Sequence, residues 1–374
     1  MNSLNLSSLP VVQPRYVQMA ARMADLIESG AFQPGQRLPS VRDAAAQEGV
    51  SISTAMQAFR WLEDKGLAQA KPKAGYFVSK LRKRIDLPTV GQPPAHSVPV
   101  ERQSRTDVIR LDGAQAIRVN LGGTCPRDSM LFDEDRVRVA VSRATRVYRR
   151  TLVSYTNEAG TPALQNAVAQ RALHLGCSLR GEDVVITSSC IHAVSLCLMA
   201  VTRPGDVVAL ESPTFFGFLD LLEALNLRVV EIPSHPRTGL SLPALQLALD
   251  TQPIKAVLAV PTLSNPLGAI MPLADKKALV RMLAPYQIPL IEDVVFNDLL
   301  ASDERRKAVK SFDRDGSVMV CGSFSKTLAP GIRLGWVEAG RWKDRVAALQ
   351  RVQGAATNEV LEQALADLLT QTAY

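Results

Sequence analysis

The spacing of apolar positions changes along the chain, and the change marks two regions. Near the N-terminus the spacing is helical. Tyr16, Met19, Ala20, Met23, Leu26 and Ile27 recur three or four residues apart between Pro14 and Gly30, which predicts an amphipathic helix. Pro39-Ser40 opens a second, short helix over 41–48 with Val41, Ala44 and Ala45 inward, and Gly49-Val50 makes a tight turn. A third helix over about 51–65 puts Ala55, Ala58, Phe59 and Leu62 at core spacing. Residues 67–79 then alternate like a hairpin, with Lys71, Lys73 and Gly75 near its tip. Three helices with a short turn before the third, followed by a basic hairpin, give the order of a winged helix-turn-helix.

Beyond residue 110 the pattern is different. Short apolar runs at 184–187, 207–210, 228–231, 256–260, 289–292 and 318–321 are separated, for the most part, by enough chain for a helix. Runs that are continuous rather than alternating mark strands buried on both faces. The body is therefore expected to be α/β, with a mainly parallel central sheet covered by helices. Between the two regions, 81–110 loses periodicity and gathers Pro88, Pro93, Pro94 and Pro99 behind the basic run Arg82-Lys83-Arg84. It reads as a partly extended tether with little buried surface. The expected organisation is a head over 1–80, a linker over 81–110 and a body over 111–374.

Charge assigns a partner to the head. The net charge is +7, and residues 1–84 hold 12 Lys and Arg against 6 Asp and Glu, while the remainder holds 31 against 30. Almost all the excess sits where a polyanion would be met. In a winged helix-turn-helix the third helix enters the major groove of double-stranded DNA. Ser51, Ser53, Thr54 and Gln57 would then reach bases and phosphates, and Arg37, Arg42, Lys71 and Lys73 would grip phosphates. Ser40 and Gly75 complete the expected DNA-binding set. A basic three-helix bundle that binds a protein is the alternative.

Other classes are excluded by composition. Hydrophobic content of 47% and charged content of 21% fit a globular chain. No window approaches ~18 uninterrupted apolar residues, and 1–10 lacks a basic-then-apolar leader pattern, so cytoplasm is the expected compartment. Five scattered cysteines without a C-x-x-C pair, and four histidines without ligand spacing, suggest neither a disulfide framework nor a metal centre.

The head resembles the GntR family of bacterial transcription regulators. The resemblance rests on Gly35-Gln36-Arg37-Leu38-Pro39-Ser40-Val41-Arg42, on Gly49-Val50-Ser51 and on the wing Gly75-Tyr76-Phe77-Val78. One departure is Ile52, where that family usually carries arginine, so a phosphate or base contact is expected to be lost there.

The most informative chemistry lies at 323–333, Ser-Phe-Ser-Lys-Thr-Leu-Ala-Pro-Gly-Ile-Arg, inside an otherwise apolar segment. Lys326 can form a Schiff base with an aldehyde, while Ser323, Ser325 and Arg333 can hold a phosphate. Pyridoxal 5'-phosphate carries both groups on one ring. Further candidates follow the ends of successive strands, where open α/β sheets bind ligands. Ser189, Cys190 and Ile191 open a helix whose free N–H groups suit a phosphate. Phe215 can stack on a ring, Asn265 can bond its phenolic oxygen, and Asp293 can keep its pyridine nitrogen protonated. Burial beside Arg333 and a cationic ring is expected to lower the pKa of Lys326. Taken singly, these residues have ordinary explanations as caps, a core ring or a turn. Their succession at strand ends makes them a set.

From Tyr155-Thr156-Asn157-Glu158-Ala159-Gly160 to about Trp336 the body resembles the fold-type-I aminotransferases. The resemblance implies that Tyr155 reaches the phosphate of a neighbouring subunit, and hence a homodimer. A GntR-type head on such a body resembles the MocR subfamily, over nearly the whole chain. Three departures bear on catalysis. Asp293-Val294-Val295-Phe296 replaces Asp-x-x-Tyr, so a hydroxyl is gone. Ser189 stands where glycine is usual, and His192 where Gln or Glu is. The chain is also expected to lack the C-terminal subdomain that carries the family's carboxylate-binding arginine. The favoured reading is a DNA-binding regulator whose body binds pyridoxal phosphate and senses a small amine or amino-acid effector. The alternatives are an aminotransferase with an appended head, and a DNA-binding protein whose body only dimerises.

Overall fold

The computed structural model describes residues 14–72, 74–79, 96–100, 132–154, 159–354 and 356–370, and the chain divides into two units, Met1–Leu87 and Pro88–Tyr374. In the first unit, α1 (Arg15–Glu28), α2 (Val41–Gln47) and α3 (Ile52–Asp64) form where apolar spacing and caps agree. Ser40 caps α2 by accepting from the Asp43 N–H, and Ser51 caps α3 by accepting from the Thr54 N–H. Small Ala55 and Ala58 on α3 suit its packing against α1, and Phe59 is fully buried in one cluster with Met19, Ile27 and Leu62. Burial of one such ring contributes about 1.5–3 kcal/mol.

Strands β1 (Ala68–Lys71) and β2 (Gly75–Val78) pair antiparallel, with Ala68 opposite Val78 and Lys71 opposite Gly75. Arg37 bridges to Phe77, and the Leu38 N–H donates to the Tyr76 carbonyl, so the Gly35-Gln36-Arg37-Leu38 motif acts as a third rung of the wing. Lys73 lies outside the described residues.

The second unit is built on a sheet of nine strands among the described residues. Its strands are β3 (Val98–Pro99), β4 (Val184–Thr187), β5 (Val207–Ser212), β6 (Arg228–His235), β7 (Gly239–Leu240), β8 (Ile254–Ala259), β9 (Leu290–Asp293), β10 (Val318–Ser323) and β11 (Gly335–Glu338). The order is β3-β6-β5-β8-β9-β10-β11-β4, with β7 paired to β6. Strands β6, β5, β8, β9 and β10 are parallel neighbours. The antiparallel β11 separates β10 from β4, so β4 runs with the parallel set.

All six expected strands are present, and both faces of the sheet are covered. Alternate residues face opposite layers. Val185, Met319, Cys321 and Val337 pack in one cluster, while Val184, Ile186, Val320 and Trp336 pack in another. That is why these runs show no polar alternation. The first layer contains α6 (Cys190–Val201), α7 (Phe216–Ala224) and α10 (Lys343–Gly354). The second contains α4 (Glu134–Val147), α5 (Pro162–Ala172), α8 (Leu242–Thr251), α9 (Leu273–Leu283) and α11 (Glu359–Thr370). Glu362 on α11 is buried and accepts from the Thr161 N–H at 2.6 Å and from the Thr357 hydroxyl, which anchors the last helix to the start of α5.

Two features differ from the sequence reading. The antiparallel β11 was not expected as a strand. And part of the expected linker is not a free tether: Val98 and Pro99 pair with Val229 and Arg228 at the sheet edge, and Arg228 donates to the Ser97 carbonyl at 2.6 Å. Proline is tolerated there because an edge strand needs no complete ladder of N–H donors. Residues 80–95 and 101–131 of that region lie outside the described set. Among the described residues no helix is long and apolar enough to cross a membrane.

Candidate cofactor site and DNA face

Sheet topology creates a cavity where chain direction diverges. From β5 the chain moves to one side for β6 and to the other for β8, a switch point of the kind that holds ligands in α/β sheets. The cavity measures about 180 Å³, more than the ~150 Å³ void that accepts a benzene ring. Ser189, Cys190, Ile191, Phe215, Asn265, Asp293, Ser323, Ser325, Lys326 and Arg333 all line it. The structure thus brings ten expected site residues together. Tyr155 lies outside the described residues.

Asp293 ends β9 and is buried. It accepts from the Val295 N–H at 2.8 Å and from the Cys190 thiol at 3.2 Å, both on Oδ1. Burial pushes its carboxyl up to about 6, against the two hydrogen bonds and the positive charge of Lys326. Cys190 is itself pushed well above the ordinary thiol value, by burial first and then by Asp293, so it is a neutral donor.

Ser189 spends its hydroxyl as the cap of α6, accepting from the His192 N–H at 3.1 Å. A Cβ at position 335 would collide with the Ser189 carbonyl carbon, so Gly335 on β11 lets the start of α6 seat against the sheet. The first N–H groups of α6 have no partner within the helix and belong to residues that line the cavity. His192 is not a lining residue; its Nδ1 lies 3.0 Å from the Ser188 hydroxyl.

Phe215 precedes α7 and meets Phe218 edge-on, with centroids 5.5 Å apart. A Cβ on Gly217 would collide with the Phe215 ring, so the glycine gives this ring its place. The loop after β10 carries the polar end. Ser323 Oγ accepts from the Ser325 N–H, and Arg333 Nη1 donates to Ser325 Oγ, each at 3.5 Å. Lys326 is half-buried and Arg333 exposed, which corrects the expectation of a buried pair.

Sequence reasoning missed Phe218, Val260 and Val295 as lining residues, and Phe296 supplies a fourth apolar wall. It also missed Glu211. This residue is 1% exposed and accepts from the Val260 N–H at 2.6 Å; burial pushes its carboxyl to about 8, with Asp293 adding to the shift. The polar run Glu-Ser at the end of an apolar strand was the available signal.

The residues fit pyridoxal phosphate. Phe215 offers a ring face that Gly217 makes room for. Among the described residues, the two hydrogen bonds that Asp293 accepts fall on one oxygen. Lys326, Ser323, Ser325 and Arg333 combine an amine with phosphate-binding groups, and Asn265 adds an amide.

On the head, Arg37, Arg42, Gln57, Lys71 and Gly75 are exposed. Lys71 Nζ sits 4.3 Å from the Phe77 ring centre. Two expected contacts are partly committed elsewhere. Ser40 donates to Asp43 Oδ2 at 2.7 Å, and Ser51 Oγ lies 2.8 Å from the hydroxyls of both Ser53 and Thr54. Arg60, exposed one turn beyond Gln57, was not anticipated.

Comparison with known proteins agrees with this division. The model for aminotransferase class I and II matches residues 128–373, and that for bacterial regulatory proteins of the gntR family matches residues 15–78. The HTH-type transcriptional regulator YjiR of Escherichia coli (strain K12) is 37% identical over 333 residues, covering 89% of this chain and 70% of the relative. YdcR of the same strain, also an HTH-type transcriptional regulator, is 34% identical over 366 residues, covering 96% and 76%. Kynurenine aminotransferase of Pyrococcus horikoshii, solved with PMP, has the same fold: TM-score 0.66 at 24% identity, covering 72% of this chain and 68% of that one. With two such relatives spanning head and body, the chain belongs to the GntR-family transcriptional regulators that join a DNA-binding helix-turn-helix head to an aminotransferase-like body, the MocR arrangement.

Proposed function

We propose that this chain is a pyridoxal phosphate-dependent regulator whose body senses a small amine or amino acid and whose head holds a double-stranded operator. The observation that carries the reading is the convergence on one cavity of Lys326, Asp293, Phe215, Asn265 and the serines near Arg333. Lys326 is the covalent attachment point. Asp293, ionised above about pH 6, holds the proton of the ring nitrogen. Phe215 covers the ring, and Asn265 bonds the phenolic oxygen. Ser323, Ser325, Arg333 and the first turn of α6 from Ser189 to Ile191 hold the phosphate. When bound, the cofactor supplies an aldehyde that condenses with amines and a ring that withdraws electrons.

The wall at Phe296 carries no hydroxyl, and the relatives are named as transcriptional regulators. Both favour sensing over turnover. Arg37, Arg42, Lys71 and Lys73 grip phosphates, while Ser51, Ser53, Thr54 and Gln57 on α3 and its cap are within reach of bases and phosphates, with Ser40 and Gly75 beside them. A homodimer with Tyr155 serving the neighbouring site is the assembly, in the cytoplasm. Val139, Val147, Leu152 and Val153, all at least 54% exposed on α4 and the turn after it, supply apolar surface for the subunit contact. An effector regulates by binding two body conformations unequally.

The test loads the full chain with pyridoxal phosphate and selects its preferred duplexes from a random library. A panel of primary amines and amino acids is then added. A regulator shows an amine-dependent change in duplex affinity, with no more than about one keto-acid equivalent per subunit. Sustained turnover at unchanged affinity would identify an aminotransferase instead.

A further inference from the structure

We propose that Ile52 is a specificity-determining residue of the head, making an apolar contact with the C5-methyl group of a thymine in the major groove. The inference rests on the assignment of α3 as the DNA-reading helix. Ile52 is the first residue of α3 and keeps 54% of its surface exposed. The inner face of α3 is already filled by Ala55, Ala58, Phe59 and Leu62, so Ile52 is outside the head's core. Met56, one turn later and half-buried, extends an apolar strip along the same flank.

The polar groups around Ile52 are turned to one another. Ser51 Oγ accepts from the Thr54 N–H and lies 2.8 Å from the hydroxyls of Ser53 and Thr54. These three short side chains form a cap cluster, and Ile52 is the longest side chain at this end of the helix. In helix-turn-helix proteins the N-terminal residues of the second helix of the motif meet base edges. Thymine is the one standard DNA base with a methyl group on its major-groove edge, and apolar side chains read it by contact. An arginine in this place would seek guanine acceptors or a phosphate. Isoleucine cannot, so the recognised base changes with the side chain.

The full chain is used to select duplexes from a randomised library. The wild type is expected to enrich thymine at one position of its recognised motif, and Ile52→Arg to abolish that preference while keeping the other positions. In the best duplex that thymine is then replaced by uracil, which removes only the methyl group. The wild type should bind the uracil duplex about three- to fivefold more weakly, the effect of one methyl group returned to water. Ile52→Ala should bind both duplexes alike. A thymine preference unchanged in Ile52→Arg, or an equal uracil effect in wild type and Ile52→Ala, would overturn the proposal and leave the head's DNA binding intact. Failure of the wild type to bind any selected duplex in a salt-dependent way would overturn the underlying assignment as well.

Discussion

The thiol of Cys190 donates to Oδ1 of Asp293 across 3.2 Å, and the backbone N–H of Val295 donates to the same oxygen at 2.8 Å. Two donors on one oxygen fix the carboxylate plane and leave Oδ2 for a ligand in the cavity that Asp293 lines. Cys190→Ala removes one donor from a buried acid, which raises its pKa further and weakens its hold on a protonated ring nitrogen. Pyridoxal phosphate affinity at pH 7 should fall about three- to tenfold in Cys190→Ala, the range of one hydrogen bond, and recover in part in Cys190→Ser. Fluorescence titration of the three proteins checks this; equal affinities would contradict it.

Gly217→Ala tests the placement of the stacking ring. The added methyl meets the Phe215 ring, so the ring must turn away from its seat. The variant should keep its secondary structure by circular dichroism and bind pyridoxal phosphate at least about tenfold more weakly, as loss of an aromatic contact plus local repacking implies. Unchanged affinity would show that Phe215 does not cover the ring.

The two buried acids, Glu211 on β5 and Asp293 at the end of β9, give a pH dependence with a definite sign. Glu211 titrates near 8 in the folded chain instead of 4.5, and Asp293 near 6 instead of 3.8. Between the unfolded and folded values the unfolded chain binds fewer protons, so stability falls as pH rises. The melting temperature of the cofactor-free protein should therefore decline from pH 5 to pH 8. Glu211→Gln, which keeps an acceptor for the Val260 N–H but no titratable group, should flatten that decline. A decline of the same slope in both proteins would place its origin elsewhere.

Arg42→Ala addresses the head. Arg42 is exposed on α2, the helix preceding the reader. Loss of one phosphate contact should weaken binding to all duplexes alike and reduce the slope of log affinity against log salt by about one. An unchanged slope would remove Arg42 from the phosphate contacts.

Much of this architecture is legible in the sequence because burial leaves simple patterns. Strands covered on both faces read as nearly continuous apolar runs, as at Val184–Thr187 and residues 256–260. The head helices carry their own caps in Ser40 and Ser51. What was not legible depends on partners distant in the chain. β11 is only four residues long and begins at Gly335, so its apolar residues read as the end of the segment after Arg333 and not as a strand; the glycine is required by Ser189, far away in sequence. The burial of Glu211 is set by the Val260 N–H on the loop after β8. The pairing of Val98 and Pro99 with β6 depends on an edge that only the assembled sheet presents. The exposure of Arg333 and the partial exposure of Lys326 are likewise properties of the folded loop, which charge and spacing do not reveal.

The central claim is a covalent link between Lys326 and pyridoxal phosphate. The purified full chain is saturated with the cofactor, reduced with borohydride, digested and weighed. The account predicts a pyridoxyl-phosphate mass increment on the peptide containing Lys326, and none in Lys326→Ala. An unmodified Lys326 peptide after saturation, or an increment that persists on other lysines alone, would contradict it.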